Sequence, residues 1–269
     1  MTDPTAETDI VTTGVDARGV ATLRLNRPAK NNAYNDAMIA AMTEAVGALS
    51  ADPAVRVIVL RGEGRHFQAG ADLAWLESLR GLNEADSIAV SQRTTDAVNG
   101  LTVLPKPTLA LVQGGCFGGG VGLAAACDVV IAEESAVFAI TEARWGLSPV
   151  PIAPQLIARL GPGRTRRYAL SCERFGAARA FEIGLVDEIC PEGGLDAAAA
   201  PVINALLHCP PGALAETKAA ILSVAGLDLD APARAALAKP HGRRRLTEEA
   251  GEGLASFLEK RKPNWYPEG

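Results

Sequence analysis

Along residues 10–25 apolar and polar positions alternate as two short strands around the turn Asp16-Ala17-Arg18-Gly19, and Asn26-Arg27-Pro28 stops the second strand. From Asn35, a natural N-cap, Met38, Ala41, Met42, Ala45 and Leu49 recur at helical spacing, which puts Met38 and Met42 in the core. The nearly continuous apolar run VRVIVLRG at 55–62, bounded by a proline and by glycines, predicts a strand. Helices are expected at about 72–80 and at 84–103, the longer one turning Ile88, Val98 and Leu101 inward. The strand PTLALVQG at 107–114 then enters a glycine cluster. A short helix, strands at 128–132 and 136–140, and helices from 153 onward follow.

Strand and helix alternate to about residue 190, which indicates an α/β core with largely parallel strands. Beyond 193 only helical patterns remain, at 195–208, 212–224, 231–238 and 246–260, punctuated by Pro-Pro-Gly at 210–212 and by Pro240. The chain thus divides into a core, 1–194, and a helical C-terminal region, 195–269. The second part is too thin to make its own core and is expected to pack on the first or on another subunit.

Composition narrows the picture. In 269 residues, 48% hydrophobic content and a net charge of −5 argue against intrinsic disorder and against a partner with a phosphate backbone. The opening MTDPTAETDIVTT has neither a basic nor an apolar leader segment, so no secretory signal is expected. The apolar run 121–132 is broken by Asp128, so no membrane span is expected either. Five scattered cysteines (Cys116, Cys127, Cys172, Cys190, Cys209) form no CxxC pair and no zinc spacing, and read as reduced thiols of a cytoplasmic protein without a metal site. His66 next to a strand-end loop reads as a solvated or capping histidine.

Nine of the 27 glycines fall in two loops that each end a strand and open a helix: Gly62 to Asp72, and Gly114 to Gly122. Such loops present free backbone amides at helix N-termini. Neither carries the Walker lysine, and the spacing Gly118, Gly120, Gly122 misses the Rossmann fingerprint. Two amides converging on one oxygen would instead make an oxyanion hole, with Ala71 and Gly119 as the small residues that let a carbonyl approach.

The blocks NRPAKNNAYNDAM (26–38), GRHFQAGADL (64–73), KPTLALVQGGCFGGGVGLAAACD (106–128), TEARWGLSP (141–149) and EGLASFLEKRKPNW (252–265) resemble the enoyl-CoA hydratase/isomerase (crotonase) family, most nearly its hydratases for methylglutaconyl-CoA and γ-carboxygeranoyl-CoA. The resemblance implies a ββα-spiral core, a helical C-terminal trimerisation region in a homotrimer or dimer of trimers, and an acyl-CoA thioester substrate. It implies no cofactor, coenzyme A being part of the substrate. It assigns the oxyanion amides to Ala71 and Gly119. It places CoA and substrate along Arg27, Lys30, Phe67, Ala69, Gly70, Asp72 and Leu73, with Gly118, Gly122 and Trp145 around the acyl group and Phe257 and Lys260 added from the last helix.

Family hydratases commonly use two glutamates. One is present as Glu142; the place of the other, three residues past the oxyanion glycine, holds Gly122. Three readings stand open. A hydratase could work with Glu142 alone, its water anchored by backbone or by Asp72 or Glu77. A Δ3,Δ2-enoyl-CoA isomerase needs one carboxylate. A chain that has lost activity would only bind acyl-CoA. Dienoyl isomerases place a further Asp where this chain has Val150. The basic clusters Arg164-Arg166-Arg167 and Arg243-Arg244-Arg245 read as solvated helix faces or subunit ion pairs, with CoA phosphates or a substrate carboxylate as the alternative.

Overall fold

The computed structural model describes residues 9–266, so the reading of residues 1–8 as free of a leader falls outside them. Strands β1 (Val11–Val15) and β2 (Val20–Leu25) pair antiparallel, their turn pinned by Asp16 Oδ1, which accepts from the amides of Arg18 and Val20 at 2.9 Å. Strands β3 (Val57–Gly62) and β4 (Thr108–Val112) add in parallel, and the sheet runs on through β6 (Val129–Glu133) to β9 (Glu188–Cys190). Its order is β1-β2-β3-β4-β6-β9. A second sheet holds β5 (Gly115–Phe117), β7 (Val137–Ala139) and β8 (Phe175–Gly176). The chain therefore crosses to the second sheet after β4 and again after β6, returning to the first after β5 and after β8.

The apolar run at 57–60 buries both faces of its strand, as a parallel strand covered on both sides must. Ile58 and Leu60 join the main core, walled by α1 (Asp36–Ala51), α3 (Glu84–Thr102), α4 (Gly119–Ala126) and α5 (Ala153–Ser171), which bends at Gly161-Pro162. Val57 and Val59 face the other way, onto Leu195, Ala199 and Ile203 of α7 (Leu195–Leu207). Asn35 caps α1 as its sequence suggests, accepting from the Met38 amide at 3.0 Å. Between these elements lie α2 (Leu73–Ser78) and α6 (Ala177–Glu182).

Two expectations change. The glycine cluster contains its own strand, β5, three residues long and too short to leave a hydrophobic period. Pro240 does not end its helix: α8 (Pro211–Val224) is followed by α9 (Ala231–Arg245), which runs through it, and then by α10 (Glu248–Leu258). Tertiary packing outweighs the lost hydrogen bond there. Gly242 lets α9 press on α3 so closely that a Cβ would fall 2.6 Å from Ile88 Cα, and Ile88, expected to turn inward, is only half-buried. The C-terminal helices thus divide their work. α7 closes the sheet, α9 and α10 fold over the opposite face, and α8 buries no residue, leaving Val224 92% exposed. Among the described residues, no helix is long and apolar enough to cross a membrane.

Candidate active site

The two glycine loops are zipped together by backbone. Phe67 N–H donates to Gln113 O (2.9 Å), Gln68 N–H to Gly115 O (3.2 Å) and Phe117 N–H to Gln68 O (2.9 Å). The fully buried Gln68 side chain then closes the Gly70 turn, accepting from Gly70 N–H at 2.8 Å. On the far side, Tyr34 N–H donates to Gly70 O (2.9 Å) and Asp72 N–H to Tyr34 O (2.8 Å). In a parallel bridge of this kind the residues flanking Ala71 make the bonds, so the Ala71 amide itself points away from Tyr34. Gly119 opens α4, where an amide has no helical acceptor. Among the described residues neither amide has a protein acceptor, and both residues line one cavity of about 240 Å³.

Glycine is required where these loops meet the reacting group. Gly118 sits at φ +52°, a left-handed conformation that side chains resist, and a Cβ there would stand 3.1 Å from both Glu142 Oε1 and Thr141 Oγ1. Glu142 begins a single 3-10 turn, Glu142–Trp145. The C-terminal helices hold that turn: Arg244 Nε donates to Gly146 O at 2.7 Å, and Phe257 of α10 meets Trp145 edge to face at 4.8 Å. Glu142 Oε2 is shut off from solvent and has no hydrogen-bond partner among the described residues. Burial pushes its pKa from 4.5 up to about 7, with the amides of Glu142 and Thr141 pulling the other way. Tyr34, packed on Gly119, is raised to about 12, first by burial and then by the charge of Glu142, with Arg245 opposing.

The residues proposed from sequence sort into two groups. Ala69, Gly70, Ala71, Leu73, Gly118, Gly119, Glu142, Trp145 and Phe257 all line the cavity, as do the core residues Met38 and Met42. The rest lie elsewhere. Arg27 turns inward, donating to Ala33 O at 2.5 Å and pairing with Asp72 at 3.2 Å. Asp72 also caps α2 through Ala74 N–H, so it is occupied as a staple and does not reach the cavity to hold water. Glu77 pairs with Arg80 at 3.3 Å, also off the cavity. Phe67 is fully buried in the main core and cannot face a ligand with its ring. Lys30 and Lys260 are solvent-exposed. Gly122 does not face the cavity at all, because the Ile152 side chain covers it: a Cβ at 122 would overlap Ile152 Cγ2 at 2.2 Å. Ile152 itself lines the cavity. His66 is a capping histidine, its Nδ1 accepting from Gly115 N–H at 2.8 Å.

Three further residues, Tyr34, Ile152 and His241, line the site and escaped sequence reasoning, and Arg245 was named only as one of a basic run. Tyr34 lies within a block already singled out, between Asn26 and Met38. The basic run at 243–245 carried a signal for Arg245 but none that separated it from its neighbours. Nothing local marks Ile152 or His241, since each matters through a contact far along the chain.

A preformed, largely apolar cavity with two unpartnered amides and one desolvated carboxyl defines an enzyme that steadies a carbonyl as it becomes an enolate and moves a proton beside it. The chain belongs to the enoyl-CoA hydratase/isomerase family, whose family model matches residues 16–268. It is 32% identical to the crotonyl-CoA hydratase of Syntrophomonas wolfei over 91% of this chain and 94% of that protein. It is also 32% identical to the 2,3-dehydroadipyl-CoA hydratase of Escherichia coli K12, again over 91% and 94%. An enoyl-CoA hydratase structure from Mycobacterium avium superposes with a TM-score of 0.84 at 33% identity, covering 96% of this chain and 99% of that one. The fold is the crotonase fold with its helical C-terminal region.

Proposed function

We propose that this chain hydrates the 2,3-double bond of a short or branched 2-enoyl-CoA. The observation that carries this reading is the desolvated Glu142 carboxyl, its Oε2 unpartnered among the described residues, in the same cavity as the free amides of Ala71 and Gly119. The thioester oxygen accepts hydrogen bonds from both amides. The Glu142 carboxylate takes a proton from water as the water oxygen bonds to C3 and the double-bond electrons move onto the thioester oxygen. The protonated Glu142 then delivers its proton to C2 as the carbonyl re-forms, giving the 3-hydroxyacyl-CoA and restoring the carboxylate. These groups suffice for the reaction, with coenzyme A entering as part of the substrate. Losing one oxyanion donor typically costs about 2.7–4 kcal/mol in the barrier.

The Ile152 side chain over Gly122 favours a second reading, Δ3,Δ2-enoyl-CoA isomerisation, in which Glu142 carries one proton between C2 and C4. A panel of 2-enoyl, 3-enoyl and 3-methylglutaconyl thioesters separates the two by product. Glu142→Gln should lower kcat by roughly 10²–10⁴-fold with acyl-CoA affinity nearly kept. Wild-type turnover in that variant would remove Glu142 from the mechanism, and binding without turnover on every substrate would leave only an acyl-CoA-binding role. The five free cysteines support a cytoplasmic setting, and the exposed Ile221 and Val224 of α8 support a homotrimer or dimer of trimers.

A further inference from the structure

Arg245 closes α9 and is only 4% exposed, yet it borders the same cavity as Glu142. Its two neighbours in the basic run are accounted for on the surface: Arg243 pairs with Glu84 at 2.8 Å and Arg244 with Glu249. Arg245 differs. Among the described residues no carboxylate lies within ion-pair distance of it, and its Nε is buried without a hydrogen-bond partner. Its one side-chain hydrogen bond among the described residues is a long one, Nη1 to Ser87 O at 3.4 Å. The nearest acid that affects it, Asp36, is already held by Arg93 at 2.7 Å and by Trp75 Nε1 at 3.2 Å. His241, one turn earlier on α9, is kept neutral by burial and by Arg245 itself, and an imidazole carries no negative charge in either form. The C-terminal carbonyls of α9 supply only partial compensation. A buried guanidinium is costly unless it is paired, and its planar fork of donors fits a carboxylate bidentately.

We propose that Arg245 anchors a carboxylate at the far end of the acyl chain, so that the site takes monothioesters of short dicarboxylic acids in preference to uncharged acyl-CoAs of the same length. The proposal rests on the reading of this cavity as an acyl-CoA site and names its substrate class. The apolar wall formed by Met38, Met42 and Val98 contacts the chain between the two ends, and the ligand carboxylate supplies the counter-ion that the fold leaves out.

The test is a pair of ratios measured on wild type, Arg245→Met and Arg245→Lys. Calorimetry with glutaryl-CoA and pentanoyl-CoA, which lack the double bond, gives a binding ratio that needs no catalysis. Hydration of glutaconyl-CoA and 2-pentenoyl-CoA gives the corresponding ratio of kcat/KM. Wild type should prefer the dicarboxylic partner at least tenfold in both, and Arg245→Met should collapse the preference by roughly 10- to 100-fold, the worth of a charge-assisted hydrogen-bonded pair. A wild-type preference below threefold overturns the proposal. So does an Arg245→Met ratio within threefold of wild type. Should Arg245→Met fail to fold by circular dichroism, Arg245→Lys decides, because losing the bidentate fork must still cut the preference severalfold and an unchanged ratio refutes the idea. If the binding preference holds while no thioester is hydrated or isomerised, the hydratase reading fails and the anchor stands.

Discussion

Replacing Glu142 by Gln should stabilise the fold, and increasingly so as pH rises from 4.5, where the unfolded carboxyl ionises, to about 7. Burial lifts Glu142 from 4.5 to about 7, so between those values the folded protein holds a proton that the unfolded chain releases. Stability must therefore fall as pH rises through that window, being intact below 4.5 and fully lost above about 7. At about 1.4 kcal/mol for each tenfold in the protonation equilibrium, the interval is worth about 3 kcal/mol at most. Glutamine keeps the shape and removes the titration, so every other group cancels in the difference between variant and wild type. Urea unfolding of both proteins, at one protein concentration and at intervals from pH 5 to 8, measures it. The variant's advantage should grow by roughly 2–3 kcal/mol across that range, most of it below pH 7. A difference that stays flat to within about 0.5 kcal/mol would show that the carboxyl is solvated, and the desolvation argument would fall.

The same group sets the pH dependence of turnover. The carboxylate form accepts the proton from water, so kcat/KM should rise about tenfold per pH unit below 7 and level off above it, whereas a profile flat from pH 5 to 8 would assign the base elsewhere. Gly122→Ala drives a methyl group into Ile152 Cγ2 at 2.2 Å. Overpacking costs about 1–3 kcal/mol against a gain of up to about 1 kcal/mol for Ala over Gly in a helix, so a net loss of about 1–2 kcal/mol is expected from chemical denaturation. Combining it with Ile152→Ala should give a coupling above about 0.5 kcal/mol, and strict additivity would mean the two positions do not touch.

Local periodicity sufficed for the scaffold because its strands and helices are long enough to show it. The run at 57–60 announces a strand buried on both faces, and Asn35 announces the cap it makes. That Ala71 and Gly119 share one cavity was legible for a related reason, since a close approach to backbone demands a small residue locally. Contacts between distant segments left no such mark. Arg27 and Asp72 suit a ligand by type, but 45 positions apart in sequence they satisfy each other. Gly122 looked like a missing carboxylate and is the seat of Ile152, so a glutamate placed there would first have to displace a core side chain. The basic run 243–245 shows the limit most plainly: three identical residues in a row have two outcomes, because only the fold decides which one turns inward.

The C-terminal helices bear on the chemistry for the same reason. Glu142 is desolvated because its 3-10 turn is roofed: Gly253 of α10 lies so close that a Cβ would fall 2.5 Å from Trp145 carbonyl carbon, and Gly146 bears as tightly on Glu249 O. Leu254 of α10 packs with Leu76 and Leu79 over the same wall, next to Ala71 and Leu147. Hydrophobic contact there offsets the cost of an unpartnered carboxyl. Loosening α10 would let water reach Glu142 and return its acidity toward the ordinary range. The C-terminal region, read from sequence as an oligomerisation element, thereby sets the burial of Glu142 within its own chain. A change in α10 and a change at Glu142 should move the same pH profile, although one of them never touches the substrate's reacting carbons.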